Sequence, residues 1–316
     1  MNVAVLGLGF MGAMHAKAWR SVKGATLAGV MSSDTAKLSG DLRRIRGNLG
    51  GAGERVDFGA ARRYPLVESA LADSSIDAVD ICLPTDLHAP VALAALRAGK
   101  HVLVEKPIAL DFASASEVSE AAEKAGLVLM AGHVLRFIPA WNNLANWVKG
   151  RKVESALFQR RCGVPAWSGW LGDPARSGGA VLDLLIHDID FCISVWGMPE
   201  FASAKGSREA GVDLVHAQLF YRECGPVVIE GGWHQPWDYP FSMEYAVTAD
   251  GLTCEWSSAS GDTSDPFTAE LQYFADCVSN GKAPDLCPPH HSAQAVALAR
   301  FILESRTHDG KAVRTS

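Results

Sequence analysis

The chain has 316 residues, of which 48% are hydrophobic and 20% are charged, and its formal net charge is −6. A chain of this length buries a large core in about two domains, so it is not a mini-protein that needs disulfide or metal staples. The acidic balance argues against a nucleic-acid or anionic membrane partner, and no apolar run reaches the ~18 residues that a membrane span needs.

Up to about residue 131, short apolar runs alternate with helical patterns. The predicted strands are Val3–Leu6, Thr26–Met31, Ala78–Leu83, Val102–Val104 and Leu127–Ala131, and the predicted helices are Met11–Ser21, Thr35–Arg46, Ala89–Ala98 and Phe112–Ala125. Gly99 and Gly126 stand where helices commonly end on glycine. Such alternation predicts a parallel, doubly wound Rossmann sheet, which we place at residues 1–122.

After about residue 150, longer alternating segments predict an α+β domain at residues 123–316. Its predicted strands are Glu154–Arg161, Ala202–Arg208, Leu214–Tyr221, Val227–Trp233, Met243–Thr248 and Leu252–Trp256, and its predicted helices are Ala180–Trp196, Phe267–Ser279 and Ser292–Ser305. The pattern is typical of an open, largely antiparallel sheet with one covered face. Because exposed sheets are often covered by a partner, we expect a homodimer or homotetramer through this sheet. The segments Arg46–Arg63 and Gly163–Gly179 are predicted to be irregular loops.

A glycine-rich turn follows the first predicted strand directly and opens the first helix. Its sequence, Gly7-Leu8-Gly9-Phe10-Met11-Gly12, is the G-x-G-x-x-G pattern in the context typical of dinucleotide binding. Gly7 makes the tight turn, Gly9 lets the backbone approach a pyrophosphate, and Gly12 allows close helix packing. The N–H groups at the helix N-terminus then favour the anion. We therefore predict that this turn, including Phe10 and Met11, binds NAD or NADP.

The end of the second predicted strand bears on the choice between the two cofactors. An acidic residue is expected there, ~20 residues after the turn, to bind the ribose hydroxyls, but Ser32 occupies that position. A hydroxyl does not repel a 2′-phosphate, so NADP is slightly favoured, with Ser33 nearby and Lys37, Arg43 or Arg44 as its counter-charge. Each of these cations has the alternative role of a solvated helix face. Asp34 is predicted to cap the next helix rather than to bind ribose.

Two further motifs follow the third and fourth main strands of the first half. Pro84-Thr85-Asp86-Leu87-His88 follows one strand, and Glu105-Lys106-Pro107 follows the other. Open α/β sheets bind ligands at the carboxyl ends of their strands. We therefore predict that Pro84, Thr85, His88, Glu105 and Lys106 line the cofactor site. Lys106 is either an ordinary surface charge or a cation aimed at a substrate oxygen, and its position favours the second.

Together these motifs resemble the glucose-fructose oxidoreductase, inositol dehydrogenase and rhizopine-catabolism (Gfo/Idh/MocA) family. The segment Gly178–Asp190 is similar to that family's G-G-x-x-x-D-x-x-x-H-x-x-D pattern, and the resemblance covers nearly the whole chain. It implies an NAD(P)-dependent oxidoreductase that transfers a hydride between nicotinamide and a secondary alcohol of a sugar, sugar derivative or cyclitol. Two alternatives stay open: an NAD-dependent glycosidase of the same family, and a non-catalytic NAD(P)-sensing protein.

The resemblance also implies roles for three residues. Lys106 would hydrogen-bond the reacting hydroxyl, His187 would act as general acid/base, and Asp183 would orient the substrate or the catalytic pair. Alcohol oxidation needs a base for the O–H proton and a cation for the developing alkoxide. The alternative for His187 is a satisfied core histidine. A metal site built from Asp183, His187 and Asp190 is conceivable, but hydride transfer does not require one, and we predict none.

Other residues are predicted to border a substrate. Arg136 either holds a substrate oxygen or is structurally paired. Trp167 and Trp170 precede the Asp183 helix and offer aromatic faces to the C–H faces of a sugar, and Trp233 with His234 is a further pair of this kind.

Seven scattered cysteines without a C-x-x-C pair argue against a disulfide framework or a zinc site. The N-terminus shows no signal-peptide pattern, so we expect a cytoplasmic protein.

Overall fold

The computed structural model describes residues 1–48, 53–165, 168–209, 211–261 and 264–315. It divides the chain into two compact units. Unit 1 comprises Met1–Val134 and Asp265–Ala293, and unit 2 comprises Leu135–Ser264 and Gln294–Ser316. This division differs from the predicted boundary at residue 122, because a helix late in the chain belongs to unit 1. Aromatic contacts explain that: Phe267 and Phe274 lie 6.1 and 6.4 Å, by ring centroids, from His15 and Trp19.

Unit 1 is built on a six-stranded parallel sheet with the order β3-β2-β1-β4-β5-β6. The strands are β1 (Asn2–Leu6), β2 (Thr26–Met31), β3 (Arg62–Tyr64), β4 (Ala78–Ile81), β5 (His101–Glu105) and β6 (Leu129–Gly132). The helices are α1 (Phe10–Ala18), α2 (Thr35–Leu38), α3 (Val67–Leu71), α4 (His88–Arg97), α5 (Phe112–Ala125) and α9 (Pro266–Asn280). The doubly wound prediction is confirmed.

Local signals set several helix boundaries in unit 1. Asp34 accepts hydrogen bonds from the N–H groups of Ala36 and Lys37, so its predicted role as N-cap is confirmed. Gly126 ends α5 in the left-handed conformation with φ 65°. The helix predicted over Thr35–Arg46 is wrong beyond Leu38, because the chain turns at Gly40 with φ 86°. The carbonyl of Gly40 there accepts from the N–H of Val56.

Unit 2 is built on a seven-stranded, mostly antiparallel sheet with the order β12-β11-β7-β10-β9-β8-β13. Its strands are β7 (Val153–Gly163), β8 (Phe201–Glu209), β9 (Val212–Phe220), β10 (Val227–Gln235), β11 (Ser242–Ala249), β12 (Leu252–Ser257) and β13 (Val313–Arg314). Only the β7–β10 pair is parallel. The helices are α6 (Pro139–Trp147), α7 (Pro174–Ser177), α8 (Ile186–Trp196) and α10 (Pro289–Thr307), and a π-helical turn over Val181–Leu185 precedes α8.

Alternation along these strands gives the sheet one buried and one exposed face. The buried face packs on an aromatic core, in which the Trp141 ring lies 5.7 Å from that of Phe158 and 4.8 Å from that of Phe191. The exposed face carries Phe201 and Phe220, which pair across β8 and β9. Across the described parts of both units, none of the helices combines the length and apolarity needed to cross a bilayer.

Candidate functional site

The glycine-rich turn of unit 1 leaves space above it and is crowded beneath it. A Cβ at Gly7 would lie 2.6 Å from the carbonyl oxygen of Cys82, and one at Gly12 would lie 1.8 Å from that of Gly7. A Cβ at Gly9, in contrast, would meet nothing within 4 Å. Gly9 is the N-cap of α1, and no side chain caps the N–H groups of the first turn. The turn therefore fits a pyrophosphate, since those donors point at an anion and the space above Gly9 admits it.

The next stretch of chain packs over the turn. A Cβ at Gly47 would lie 2.3 Å from the Phe10 ring, so the backbone of Gly47 rests directly on that ring. Farther along, an ion pair joins Glu54 to Lys17 of α1. Within the predicted loop at Arg46–Arg63, Gly47 and Glu54 thus lie beside the glycine-rich turn and α1, and its last two residues belong to β3.

At the predicted adenosine end, Ser32 is 7% exposed and its Oγ accepts a hydrogen bond from the N–H of Asp34. The Arg43 guanidinium is already paired in this arrangement, since it makes two hydrogen bonds to the Asp41 carboxylate. These bonds hold the pKa of Asp41 well below its usual range. Lys37 lies half-buried at the end of α2 and is the cation nearest to Ser32 in sequence.

Lys106 follows the last residue of β5 and is half-buried. Glu105, directly before it, is buried, and its Oε2 accepts a hydrogen bond of 3.2 Å from the Lys106 N–H. The other carboxylate oxygen, Oε1, lies at an ion-pair distance of 3.2 Å from Nε2 of His15, on α1. The Glu105 carboxylate is therefore used inside unit 1, between His15 and the Lys106 backbone.

His15 also binds a second carboxylate, that of Asp80 in β4. Its Nδ1 lies 2.9 Å from Oδ2 of Asp80, which also accepts a 2.7 Å hydrogen bond from the Trp19 indole. Burial lowers the pKa of His15, but Asp80 outweighs it and the pKa lies well above its ordinary value. Burial raises the pKa of Glu105, but His15 outweighs it and the pKa lies below its ordinary value. Both shifts favour an imidazolium between two carboxylates.

Cys82 completes this cluster, with its Sγ 3.5 Å from Nδ1 of His15 and 3.4 Å from Oδ1 of Asp80. Among the described residues, these three are the one group that brings three possible metal-ligand atoms within 4.8 Å of one another. Burial is the largest cause that raises the pKa of the Cys82 thiol, so it stays protonated and donates to Asp80. Asp183, His187 and Asp190, the trio that the sequence made conceivable as a metal site, do not form such a group among the described residues.

The Pro84–His88 motif begins with a short 3-10 turn over Thr85–Leu87. Thr85 is 3% exposed and His88 is 2% exposed. Nδ1 of His88 lies 2.8 Å from the carbonyl oxygen of Pro107, and Nε2 lies 2.8 Å from that of Leu83. Both imidazole nitrogens thus face backbone oxygens of unit 1, so His88 holds the chain here and offers neither nitrogen to a cofactor.

In unit 2, Asp183 lies in the π-helical turn and His187 in the first turn of α8. Every residue of 177–193 is buried except these two, which are half-buried. Gly178 and Gly179 start this segment with φ 75° each, and a Cβ at Gly179 would lie 2.5 Å from the Asp213 carboxylate. That carboxylate accepts from the N–H of Ala180. The glycine pair therefore leaves room for the Asp213 carboxylate that binds the Ala180 N–H at the start of the helical segment. Asp183 and His187 are the two polar side chains of this segment that are partly exposed.

Two buried ion pairs join α8 to other parts of unit 2. Arg160 of β7 makes hydrogen bonds of 2.9 and 3.0 Å to the Asp188 carboxylate. Arg136 makes bonds of 2.8 and 2.7 Å to the Asp190 carboxylate. Of the two roles that the sequence left open for Arg136, the geometry favours structural pairing over substrate binding.

The described members of the predicted aromatic set are buried or half-buried in unit 2. Trp233 is 4% exposed and belongs to a buried cluster with Ala180 and Leu184. Trp170 is partly buried against that cluster, so it lies beside the Asp183 segment. Nδ1 of His234 lies 3.1 Å from the carbonyl oxygen of Gly232. Trp167 lies outside the described residues.

The sequence prediction missed His15, Asp80 and Arg160. Asp80 gives a signal, because it is the one charged residue in the apolar run Ala78–Leu83. A carboxylate buried in a strand requires a partner, and His15 on the adjacent helix supplies it. Arg160 gives a weaker signal, because an arginine pair at 160 and 161 looks like an ordinary exposed charge cluster.

Comparison with protein families gives two matches. Residues 1–133 match the model described as "Oxidoreductase family, NAD-binding Rossmann fold", and residues 150–253 match the "GFO/IDH/MocA C-terminal domain".

Three individual proteins illustrate the likeness. The chain is 36% identical over 145 residues to a 1,5-anhydro-D-fructose reductase of Ensifer adhaerens, an alignment that covers 44% of each chain. It is 27% identical over 322 residues to a scyllo-inositol 2-dehydrogenase (NAD+) of Bacillus subtilis, covering 90% of this chain and 88% of the relative. The scyllo-inositol dehydrogenase of Lactobacillus casei, solved with NAD(H) and scyllo-inositol, has 18% identity and a TM-score of 0.83 and covers 100% and 99% of the two chains. That last likeness shows the fold.

Proposed function

Because the chain belongs to the Gfo/Idh/MocA oxidoreductase family, we propose that it is an NAD(P)-dependent dehydrogenase that oxidises a secondary alcohol of a sugar, sugar derivative or cyclitol. The observation that carries this proposal is the pair Asp183 and His187. They are the two half-buried positions in the otherwise buried segment 177–193. A satisfied core histidine would be buried like its neighbours, whereas a general base has to reach its substrate.

Three side chains have distinct roles in this proposal. His187 accepts the hydroxyl proton, and Asp183, one helical turn before it, orients the imidazole or the substrate. Lys106 stabilises the negative charge that develops on the oxygen as the C–H bond breaks. Gly7, Gly9 and Gly12 hold the dinucleotide, whose nicotinamide supplies the hydride acceptor when it is bound. Trp170 offers an aromatic face to the substrate C–H groups.

NAD(H) is the supported cofactor, and we propose that NADP(H) binds at least as well. Ser32 is neutral and directly follows β2, at the position where a carboxylate would select NAD. Lys37 supplies the counter-charge, because the Arg43 guanidinium is bound to Asp41.

A second copy of this chain is the partner that we propose for the exposed sheet face of unit 2. Phe201 and Phe220 are 40% and 37% exposed there and lie side by side. A 380 Å³ depression on the same face is lined by charges of both signs, among them Lys205 and Glu230. A face with apolar groups and both charges can contact a copy of itself across a two-fold axis. Phe220→Glu should lower the mass measured by light scattering, whereas Leu66→Glu, an exposed apolar control on unit 1, should not.

The test of the function is a screen of polyols and aldoses for NAD(P)H absorbance with each cofactor. A hit is then followed with Lys106→Met and Asp183→Asn, each expected to lower turnover by about 10²-fold while the cofactor still binds. Lys124→Met is the matched control, because Lys124 is an exposed lysine of α5 that pairs only with surface Glu120.

Two other outcomes would replace the proposal. Glycoside cleavage without net NADH would indicate the NAD-dependent glycosidase. Tight cofactor binding with neither activity would favour a sensing role. Full turnover by Lys106→Met would instead remove Lys106 from the chemistry while leaving the dehydrogenase in place.

A further inference from the structure

Two buried histidines of unit 1 contact the residues that flank Lys106 in the sequence. His15 approaches the side chain of the residue before it, Glu105, at 3.2 Å. His88 approaches the carbonyl of the residue after it, Pro107, at 2.8 Å. The two imidazoles come from different helices, α1 and α4, and both rings are at most 2% exposed.

The His15 contact reaches the Lys106 backbone in two steps. The imidazole meets Oε1 of Glu105, and Oε2 of the same carboxylate accepts the Lys106 N–H. Asp80 fixes the other side of the ring through Nδ1. An ordinary surface lysine needs no such support, and a carboxylate buried beside it would cost free energy unless it were paired.

The same cluster also touches the cofactor turn. His15 lies on the helix that begins at Gly9, and the Cβ of Cys82 would lie 3.3 Å from a Cβ at Gly12. The carbonyl of Cys82 bounds Gly7. The residues that shape the glycine-rich turn and those at the end of β5 therefore belong to one set of packed, buried groups within unit 1.

We propose that His15 and His88 are positioning residues for Lys106: His15 holds the Glu105 carboxylate beside the Lys106 N–H at an ion-pair distance of 3.2 Å, and His88, as the tautomer that carries its proton on Nδ1, donates to the Pro107 carbonyl. Together they hold the Lys106 backbone in register with the glycine-rich turn. The inference rests on the proposed function for the chemistry of Lys106. Neither histidine contacts the reacting groups in this role.

A double-mutant cycle tests the proposal, because residues that act as a unit have non-additive effects on turnover. His15→Gln and His88→Gln should each lower kcat roughly tenfold to a hundredfold at saturating NAD(H). In a Lys106→Met background, neither should lower kcat further. Losses that multiply in the double variants would overturn the proposal.

Two further variants keep the test decisive. Glu105→Gln preserves the side-chain shape if His15→Gln fails to fold, and it should show the same non-additivity with Lys106→Met. His101→Gln is the control, because His101 begins the same strand and its Nδ1 accepts only the Val128 N–H. It should leave kcat unchanged.

Backbone hydrogen exchange of a peptide spanning residues 103–110 gives a readout that needs no substrate. Exchange should quicken in His15→Gln and His88→Gln but not in His101→Gln, and unchanged exchange would overturn the proposal. If the wild type oxidises no alcohol yet this exchange quickens in the two histidine variants, the proposed function fails, but the positioning of the Lys106 backbone by His15 and His88 is supported. If the wild type oxidises an alcohol but the effects in the double-mutant cycle are additive, the proposed function is supported and the positioning role of the two histidines fails.

Discussion

The two units hold their candidate reactive side chains with buried carboxylates, but they use different counter-ions. In unit 1, Asp80 and Glu105 face the imidazole of His15. In unit 2, Asp188 and Asp190 face the guanidinium groups of Arg160 and Arg136. Arginine stays protonated across the range in which proteins fold, whereas an imidazole gains or loses its proton near neutrality.

The difference has a physical consequence for each unit. Each arginine pair of unit 2 makes two hydrogen bonds to one carboxylate, so the pairs fix the rotation of α8 wherever carboxylates are ionised. The cluster of unit 1 is held together by protons whose positions depend on pH, since the pKa of His15 is raised and that of Glu105 is lowered. Unit 2 should therefore keep its geometry over a wider pH range than unit 1.

The largest expected effect comes from breaking a guanidinium pair. Arg160→Met leaves Asp188 as an unpaired charge at 1% exposure and should lower the free energy of unfolding by about 3–5 kcal/mol. Urea denaturation at neutral pH measures it. The neighbouring Arg161 is a matched control, because its pair with Glu244 is about one-third exposed and Arg161→Met should cost at most about 1 kcal/mol. Equal losses in the two variants would contradict the buried pair as the source of stability.

The fold was predictable from the sequence because its signals are local. Apolar runs, Asp34 and Gly126 gave most strands and helix ends of unit 1. The helix predicted over Thr35–Arg46 was wrong beyond Leu38. The turn at Gly40 and its hydrogen bond with Val56 override the helical periodicity there.

The candidate site was predictable only where its residues lie in one motif. Asp183 and His187 are separated by one helical turn, so their shared face follows from the spacing. The pairs His15–Asp80 and Arg160–Asp188 join residues 65 and 28 positions apart, which no spacing rule specifies. The same holds for the place of α9 in unit 1, which depends on aromatic packing against α1 and Trp19.

The second prediction concerns His187 in unit 2, beside the Arg160–Asp188 and Arg136–Asp190 pairs. Because Asp188 and Asp190 are paired with arginine, the pH dependence of turnover that arises in unit 2 should come from His187. His187→Asn should lower kcat roughly 10²-fold and flatten the profile of alcohol oxidation near neutrality, since no imidazole remains to accept the proton. Steady-state rates from acid to mildly alkaline pH measure this. A profile of unchanged shape would assign the base elsewhere.

The third prediction concerns the pH dependence of the stability that the cluster around His15 contributes to unit 1. The pKa of His15 is raised above its ordinary 6.5, so its contribution to stability is complete below that pH and is lost as pH rises through the folded pKa. Asp80, Cys82 and Glu105 are the groups that face it. The difference in free energy of unfolding between wild type and His15→Gln should therefore be largest in mild acid and should shrink as the pH is raised.

Glu105 sets the opposite limit of this window. Its pKa is lowered from 4.5, so its contribution is complete above that pH and is lost as pH falls through the folded pKa. Urea denaturation over a pH series follows both limits. His216→Gln is the control, because His216 pairs with Glu230 at 3.0 Å on the exposed face of unit 2 and should change stability little at any pH. A His15→Gln effect that grew with rising pH would contradict the charged cluster.

The smallest expected effect lies at Ser32, at the predicted adenosine end of the cofactor site. Ser32→Asp should shift the ratio of NAD(H) to NADP(H) affinity about tenfold toward NAD(H), because a carboxylate at the end of β2 accepts the ribose hydroxyls and repels the 2′-phosphate. Titration of both cofactors by tryptophan fluorescence measures the ratio. Arg43→Met is the control: since Asp41 already binds that guanidinium, the ratio should hardly change. A wild type that binds NAD(H) tenfold more tightly than NADP(H), or a Ser32→Asp ratio equal to that of the wild type, would remove Ser32 as the residue that selects the cofactor.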